Sequence, residues 1–205
     1  RHRPAVLRGH LDGVLPLLYG ETAKRAELIH TVDLGPFKHT VDDGTPSRKA
    51  AYEAMETLLE TCADQLQWAP FVETLAAGIA DEQDLRVHVH RMVIKLAASG
   101  AAPAARAALV AALEAMIPPL EKVLKEKIKD NAVKQQVTRH EDSMRSVMRA
   151  ARALDKLTDD GSVPKWAEFV RRFLKEGRHA ERWAAIVAED EAAAAEASAP
   201  SDPME

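Results

Sequence analysis

The chain has 205 residues, 46% of them apolar and 29% charged, with a formal net charge of −4, which leaves room for one extended domain or two small ones. Ala occurs 37 times against 9 Gly, 4 Phe and 2 Tyr, and since Ala is the strongest helix former while strands favour β-branched and aromatic residues, an all-β fold is excluded. The single Cys62 excludes a disulfide framework and a structural zinc site built on paired cysteines, and it fits a reducing compartment.

The opening Arg1-His2-Arg3-Pro4, without Met or an apolar signal core, reads as a fragment of a longer, soluble protein. No apolar run reaches the roughly 18 residues that a membrane span needs. The first patterned segment, residues 29–44, alternates rather than following a helical period. Two β-prone runs flank Gly35-Pro36, and Gly at the first central position suits a type II′ hairpin turn. That register sets Leu34 opposite Phe37, Val32 opposite His39 and His30 opposite Val41 on one face. Asp33 then meets Lys38, and Thr31 meets Thr40, on the other; both are favourable cross-strand pairs. A lone hairpin is marginal in water. Its apolar face either packs on the protein's own helices or projects as a binding element, and the sequence leaves both readings open.

From residue 48 to 66 the apolar positions Ala51, Met55, Leu58, Leu59, Cys62 and Leu66 recur at spacings of three and four, one face of an amphipathic helix. The pattern returns with Leu85, Val89, Met92, Val93 and Leu96, and then with Leu109, Leu113 and Met116. It returns again with Val133, Val137, Met144, Val147, Met148 and Leu154, and finally with Trp166, Phe169 and Phe173. Gly78, Ser99-Gly100, Pro118-Pro119, Asp159-Asp160-Gly161 and Gly177 are the expected breaks. Paired helices at intervals straddling 40–47 residues predict an all-α, HEAT/armadillo-like α-solenoid over residues 1–189, with a hairpin inserted at 29–44. A compact bundle is the competing architecture. Trp183, Ile186 and Val187 are expected to close the open end. Residues 190–205, acidic and Ala-rich, are expected to form a disordered tail, with the Ala run extending the last helix at most briefly.

Charge is unevenly distributed. Residues 51–120 carry net −5, residues 121–152 net +4, and the chain from Glu189 onward net −6. The lysines at 122, 125, 127, 129 and 134 interleave with Glu121, Glu126 and Asp130, so they read as a solvated helix face rather than a phosphate-binding one. An acidic protein surface is the partner such a basic excess suits, and neither nucleic acid nor a homo-oligomer is expected.

The string Gly35-Pro36-Phe37-Lys38-His39-Thr40-Val41-Asp42-Asp43-Gly44, followed by Arg48-Lys49-Ala50-Ala51-Tyr52-Glu53, resembles the C-terminal, TATA-binding-protein-interacting (120 kDa type) domain of the cullin-associated and neddylation-dissociated family. Leu15-Pro16-Leu17-Leu18-Tyr19, Asn131-Ala132-Val133-Lys134-Gln135-Gln136 and Ser146-Val147-Met148-Arg149-Ala150 are similar to it as well. The likeness covers residues 6–157, and the Ala-rich stretch 101–112 departs from it in composition. The resemblance implies a HEAT-repeat protein of cytoplasm and nucleus that wraps an unneddylated cullin–RING ubiquitin ligase. Its C-terminal repeats would lie by the cullin's N-terminal region, with the hairpin competing for the adaptor site so that substrate-receptor modules are exchanged. Carried over by position, the partner-binding residues are Thr31, Val32, Leu34, Gly35, Pro36, Phe37, Lys38, His39 and Val41. Arg48 and Lys49, on a polar helix face with Glu53 and Glu56, are expected to be exposed contacts beside them.

Catalysis has no local support: there is no Walker loop, GxSxG elbow or HExxH. His39, Asp42 and Asp43 would be the ligands of a metal-dependent hydrolase, but strand alternation turns Asp42 away from His39. His88 and His90, two residues apart on a helix, do not share a face and read as an exposed pair. Cys62, on the apolar stripe, reads as a buried core thiol. The sequence therefore predicts a binding protein without cofactor or metal. A HEAT scaffold for another client, such as transport cargo or a phosphatase, is the alternative.

Overall fold

Helical period and Ala content translate into eight α-helices among the described residues of a computed structural model, which are residues 8–35, 37–98, 101–158 and 162–198. Helix α1 (Leu11–Glu21) buries Leu11 and Leu15 and leads into the hairpin, strands β1 (Ile29–Leu34) and β2 (Phe37–Asp42). The remaining helices are α2 (Thr45–Thr61), α3 (Trp68–Gly78), α4 (Gln83–Ala97), α5 (Pro103–Lys125), α6 (Lys134–Asp155), α7 (Pro164–Phe169) and α8 (Ala180–Ser198). No helix among them is long and apolar enough to cross a membrane.

Alternate helices stack. The first members of the pairs form one layer, α2 on α4 on α6, and the second members form another, α3 on α5 on α7. Short connections force neighbours to run antiparallel, and each pair buries its apolar stripe only against the next. This is the expected all-α, HEAT-like solenoid with one hairpin. Met55, Phe71, Leu75, Val89, Met92, Leu113 and Val147 belong to one core that continues from Leu11 to Ile186. Cys62, at the C-cap of α2, is fully buried in it. Tyr52 reaches across from α2 to Gly78 of α3, where an added Cβ would land on the Tyr52 ring and 2.9 Å from Val89 Cγ2. Only glycine admits that approach.

Pro118-Pro119 does not break the chain as expected. Helix α5 runs through both prolines. Each removes a backbone donor from the carbonyl four residues earlier, and those carbonyls belong to the exposed residues Glu114 and Ala115, on the face of the helix turned away from the core. Helix α7 instead widens into a π-helical turn, Val170–Lys175, closed by the Glu176 N–H on the Arg171 carbonyl at 2.9 Å. At the far end α8 packs on α6 through buried Trp183 and Ile186. It continues to Ser198, past residue 190 where the tail was expected to begin. The reason is local: Ala192-Ala193-Ala194-Ala195 has the highest helix propensity available, and Asp190 is tied to Lys156 at 2.5 Å and Arg152 at 3.4 Å. Ser99-Gly100, Asp159-Asp160-Gly161 and residues 199–205 lie outside the described residues.

Candidate functional site

The hairpin forms in the register that the cross-strand pairs require, from Ile29↔Asp42 through Val32↔His39 and Asp33↔Lys38 to Leu34↔Phe37. Gly35 takes φ +68°, the left-handed value that the first turn position demands. Pro36 lies outside the described residues. Thr31, Asp33, Lys38, His39, Thr40 and Val41 are exposed and Val32 is half-buried, so the ribbon projects rather than sinking its face into the helices. No third strand pairs with it among the described residues, which leaves both backbone edges open. Exposed side chains on both faces and two open edges suit it to protein recognition; it brings no nucleophile and base together.

A ribbon with so little packing needs an anchor, and the chain builds one at its base. The Asp43 N–H donates to the Leu28 carbonyl at 3.0 Å, continuing the ladder past the strands. Asp42 accepts from the Gly44 N–H at 3.0 Å and from Arg48 Nη1 at 3.0 Å, and Lys24 Nζ lies 3.4 Å away. Arg48, only 1% exposed, donates its other edge to Asp81 in bidentate fashion, Nε to Oδ2 at 3.0 Å and Nη2 to Oδ1 at 3.1 Å. Asp81 also caps the Glu82 N–H at 2.7 Å. One guanidinium thus fastens the hairpin base to α2 and to the α3–α4 turn, with the planar fork that a Lys lacks. Burial alone would raise the Asp42 carboxyl, but the Gly44 N–H and the Arg48 charge outweigh it and hold the group below the ordinary carboxylate range. Burial likewise works against the Arg48 charge, and the two carboxylates more than restore it.

Three expectations are corrected here. Arg48 is not an exposed partner contact: it falls in phase with Ala51, Tyr52 and Met55 on the buried face of α2, and the carboxylates at 42 and 81 make that burial tolerable. Lys49, one residue on, is exposed and lies 4.0 Å from Glu53. Glu56 is not a freely solvated acid. Lys95 at 2.7 Å is the main reason its carboxyl is lowered, with His88 at 3.1 Å adding to it. His88 and His90 are not an exposed pair either. His90 is fully buried, its Nε2 hydrogen-bonded to the Ile79 carbonyl at 3.1 Å and its Nδ1 to Ser146 Oγ at 2.9 Å. The carbonyl can only accept, so Nε2 carries the proton and the Ser146 hydroxyl donates to Nδ1.

His39, Asp42 and Asp43 go separate ways. His39 is exposed opposite Val32, Asp42 is spent on Arg48, and Asp43 Oδ2 lies 3.5 Å from His30 Nδ1. The anchor residues that sequence reasoning missed are Lys24 and Asp81. The signal was Arg48 itself, a charge in register with an apolar stripe, which demands acidic partners from elsewhere in the chain.

The family model described as TATA-binding protein interacting (TIP20), TIP120, matches residues 6–173. The chain is 38% identical over 190 residues to the Cullin-associated NEDD8-dissociated protein 1 of Dictyostelium discoideum, an alignment covering 92% of this chain and 15% of that protein. It is 39% identical over 183 residues to the protein of that name in Arabidopsis thaliana, covering 82% of this chain and 15% of the relative. Against the Cullin-associated NEDD8-dissociated protein 2 of Rattus norvegicus it is 39% identical over 168 residues, covering 82% of this chain and 13% of the relative. The chain thus spans about one seventh of the length of these relatives, and the hairpin and its anchor fall inside the matched residues. With its paired helices and single projecting hairpin, the chain belongs to the TIP120 family, the C-terminal domain type of the cullin-associated proteins.

Proposed function

We propose that this chain is a cullin-binding regulatory module of cullin–RING ubiquitin ligases, working in cytoplasm and nucleus. It sits by the cullin's N-terminal region and sets its hairpin, residues 31–41, in competition with the adaptor and substrate-receptor module. The observation that carries the reading is the projecting ribbon held by a buried arginine: a rigid base with exposed faces is the form a wedge takes. The cullin-associated names of the relatives supply the partner. Helical repeats give binding area, while the hairpin makes adaptor and module weaken each other, so exchange follows without any bond being made or broken by the chain.

The test is kinetic. An unneddylated cullin–RING ligase loaded with a labelled adaptor–receptor module is mixed with the chain, and release of label is followed. Replacing residues 31–41 with a Gly-Ser linker is expected to slow release strongly while cullin binding and helical circular dichroism persist. Phe37→Ala, at the first position of β2, removes an aromatic anchor and is expected to cost about 2 kcal/mol in competition, roughly thirtyfold. Release at the wild-type rate by the linker variant would remove the hairpin from the mechanism.

A further inference from the structure

Helix α6 begins at Lys134, yet its first buried residue is Ser143. Its opening turns overhang the helix stack. Val133 and Val137 continue the stripe of Met144 and Val147 outward, where they were expected to be covered, and they stand 62% and 41% exposed; Ile128, in the preceding loop, is 37% exposed. Apolar residues in phase with a buried stripe, with nothing of the described chain over them, mark a contact surface.

The charges around them point the same way. Lys127, Lys129 and Lys134 make no ion pair among the described residues. Farther along α6, Arg145 and Arg149 both pair with Glu189, and Arg152 pairs with Asp190. The cations of the packed end of α6 are thus matched by acids of α8, whereas the loop lysines, Lys134 and the nearby exposed Arg139 make no ion pair among the described residues. The overhang also belongs to the hairpin's end of the molecule. Gln83 Nε2 donates to the Arg139 carbonyl at 2.5 Å, and Arg86 Nη1 to Glu126 at 2.8 Å. The α3–α4 turn just before Gln83 holds Arg48 and the hairpin base through Asp81. The α3–α4 turn thus holds the hairpin base through Asp81, and the first turn of α4 that follows it holds Glu126 and the opening of α6.

We infer that the α6 overhang is a second arm of the partner-binding end, docking an acidic protein surface that offers apolar side chains to Val133 and Val137. The inference rests on the reading above and assigns this surface to the same cullin that the hairpin engages. Exposed apolar residues interleaved with Asp130 favour protein over nucleic acid, whose phosphates call for converging cations without an apolar centre.

The test measures equilibrium binding of the chain to an unneddylated cullin–RING ligase core over a range of salt. The triple variant Lys127→Glu, Lys129→Glu, Lys134→Glu is expected to weaken binding at low salt about tenfold or more and to flatten the salt dependence. The variant Val133→Ser, Val137→Ser is expected to weaken it several-fold at every salt concentration. Both retain wild-type helical circular dichroism, since none of the five residues is buried. The hairpin-linker variant separates the two ideas: it keeps cullin affinity if the overhang supplies it. Wild-type affinity in both overhang variants, beside a wild-type chain that binds, overturns this inference alone. A wild-type chain that binds no cullin overturns the parent reading and this one together. Preference for a labelled oligonucleotide over the cullin core, lost in the lysine variant, overturns it in favour of nucleic acid.

Discussion

Arg48 and His90 show how burial changes what a polar residue does. With Asp42 and Asp81 on its two edges, Arg48 neutralises two carboxylates that would otherwise repel each other at the hairpin base. Arg48→Met is close in volume but leaves Asp81 without its cation and Asp42 with the half-exposed Lys24 alone, and it is expected to cost on the order of 3 kcal/mol. Urea unfolding measures that loss. Limited proteolysis should show cleavage within residues 29–43 rising before the helices open. His90 carries a different liability. Burial, with the nearby Arg86 charge adding to it against the Ile79 hydrogen bond, pushes its imidazole down to about 4 from an ordinary 6.5. The unfolded chain therefore binds a proton that the folded one refuses. Stability is fully present above pH 6.5 and falls as the pH drops toward 4, by about 2 kcal/mol between pH 7 and pH 5. His90→Gln, compared with wild type at both pH values by urea unfolding, should lack most of that difference. An equal loss in both proteins would place the titration elsewhere. The sequence carries a local sign of the first role, since Arg48 is in phase with Ala51, Tyr52 and Met55, but not of the acids that answer it; His90 carries none, standing two residues from the half-buried His88.

At the scale of elements, the hairpin was the most legible piece. Turn chemistry at Gly35 and cross-strand pairing at Thr31–Thr40 and Asp33–Lys38 each specify the same register, and local agreement of that kind survives into the fold. Pro118-Pro119 misleads because a proline ends a helix only where the carbonyl it frees is sealed in the core, and here both belong to exposed residues. Helix α8 combines both situations. Its first half is fixed by Trp183 and Ile186 on α6, whereas residues 191–196 are exposed throughout. Ending the chain after Gly177 is expected to lower the melting temperature on the order of 10 °C, from roughly 4 kcal/mol of lost burial. Ending it after Glu191 should move it by no more than a degree or two. Thermal unfolding of the two truncations decides it, and equal losses would mean that the Ala run docks on the body.

For the whole molecule, helical composition, the three-and-four spacing of apolar residues and the paired arrangement of the helices were enough to specify an all-α solenoid carrying one ribbon. These properties are set by the chain's own period and by the need to bury one stripe per helix, so they can be read without knowing the neighbours. Family membership was legible for a similar reason, because the hairpin string and the segment after it are contiguous in sequence. What only the tertiary structure decided is which stripes find a cover and which charges find a partner. Val133 and Val137 are in phase with the stripe from Met144 to Leu154, separated from it by His140 and Glu141, but the first buried residue is Ser143, so the same phase is core at one end and surface at the other. Arg48 is a surface residue by type and a core residue by position, because Asp42 and Asp81 arrive 6 and 33 residues away along the chain. Period is a property of one segment, whereas burial is a property of pairs of segments, and the distant partner exists only once the helices have stacked.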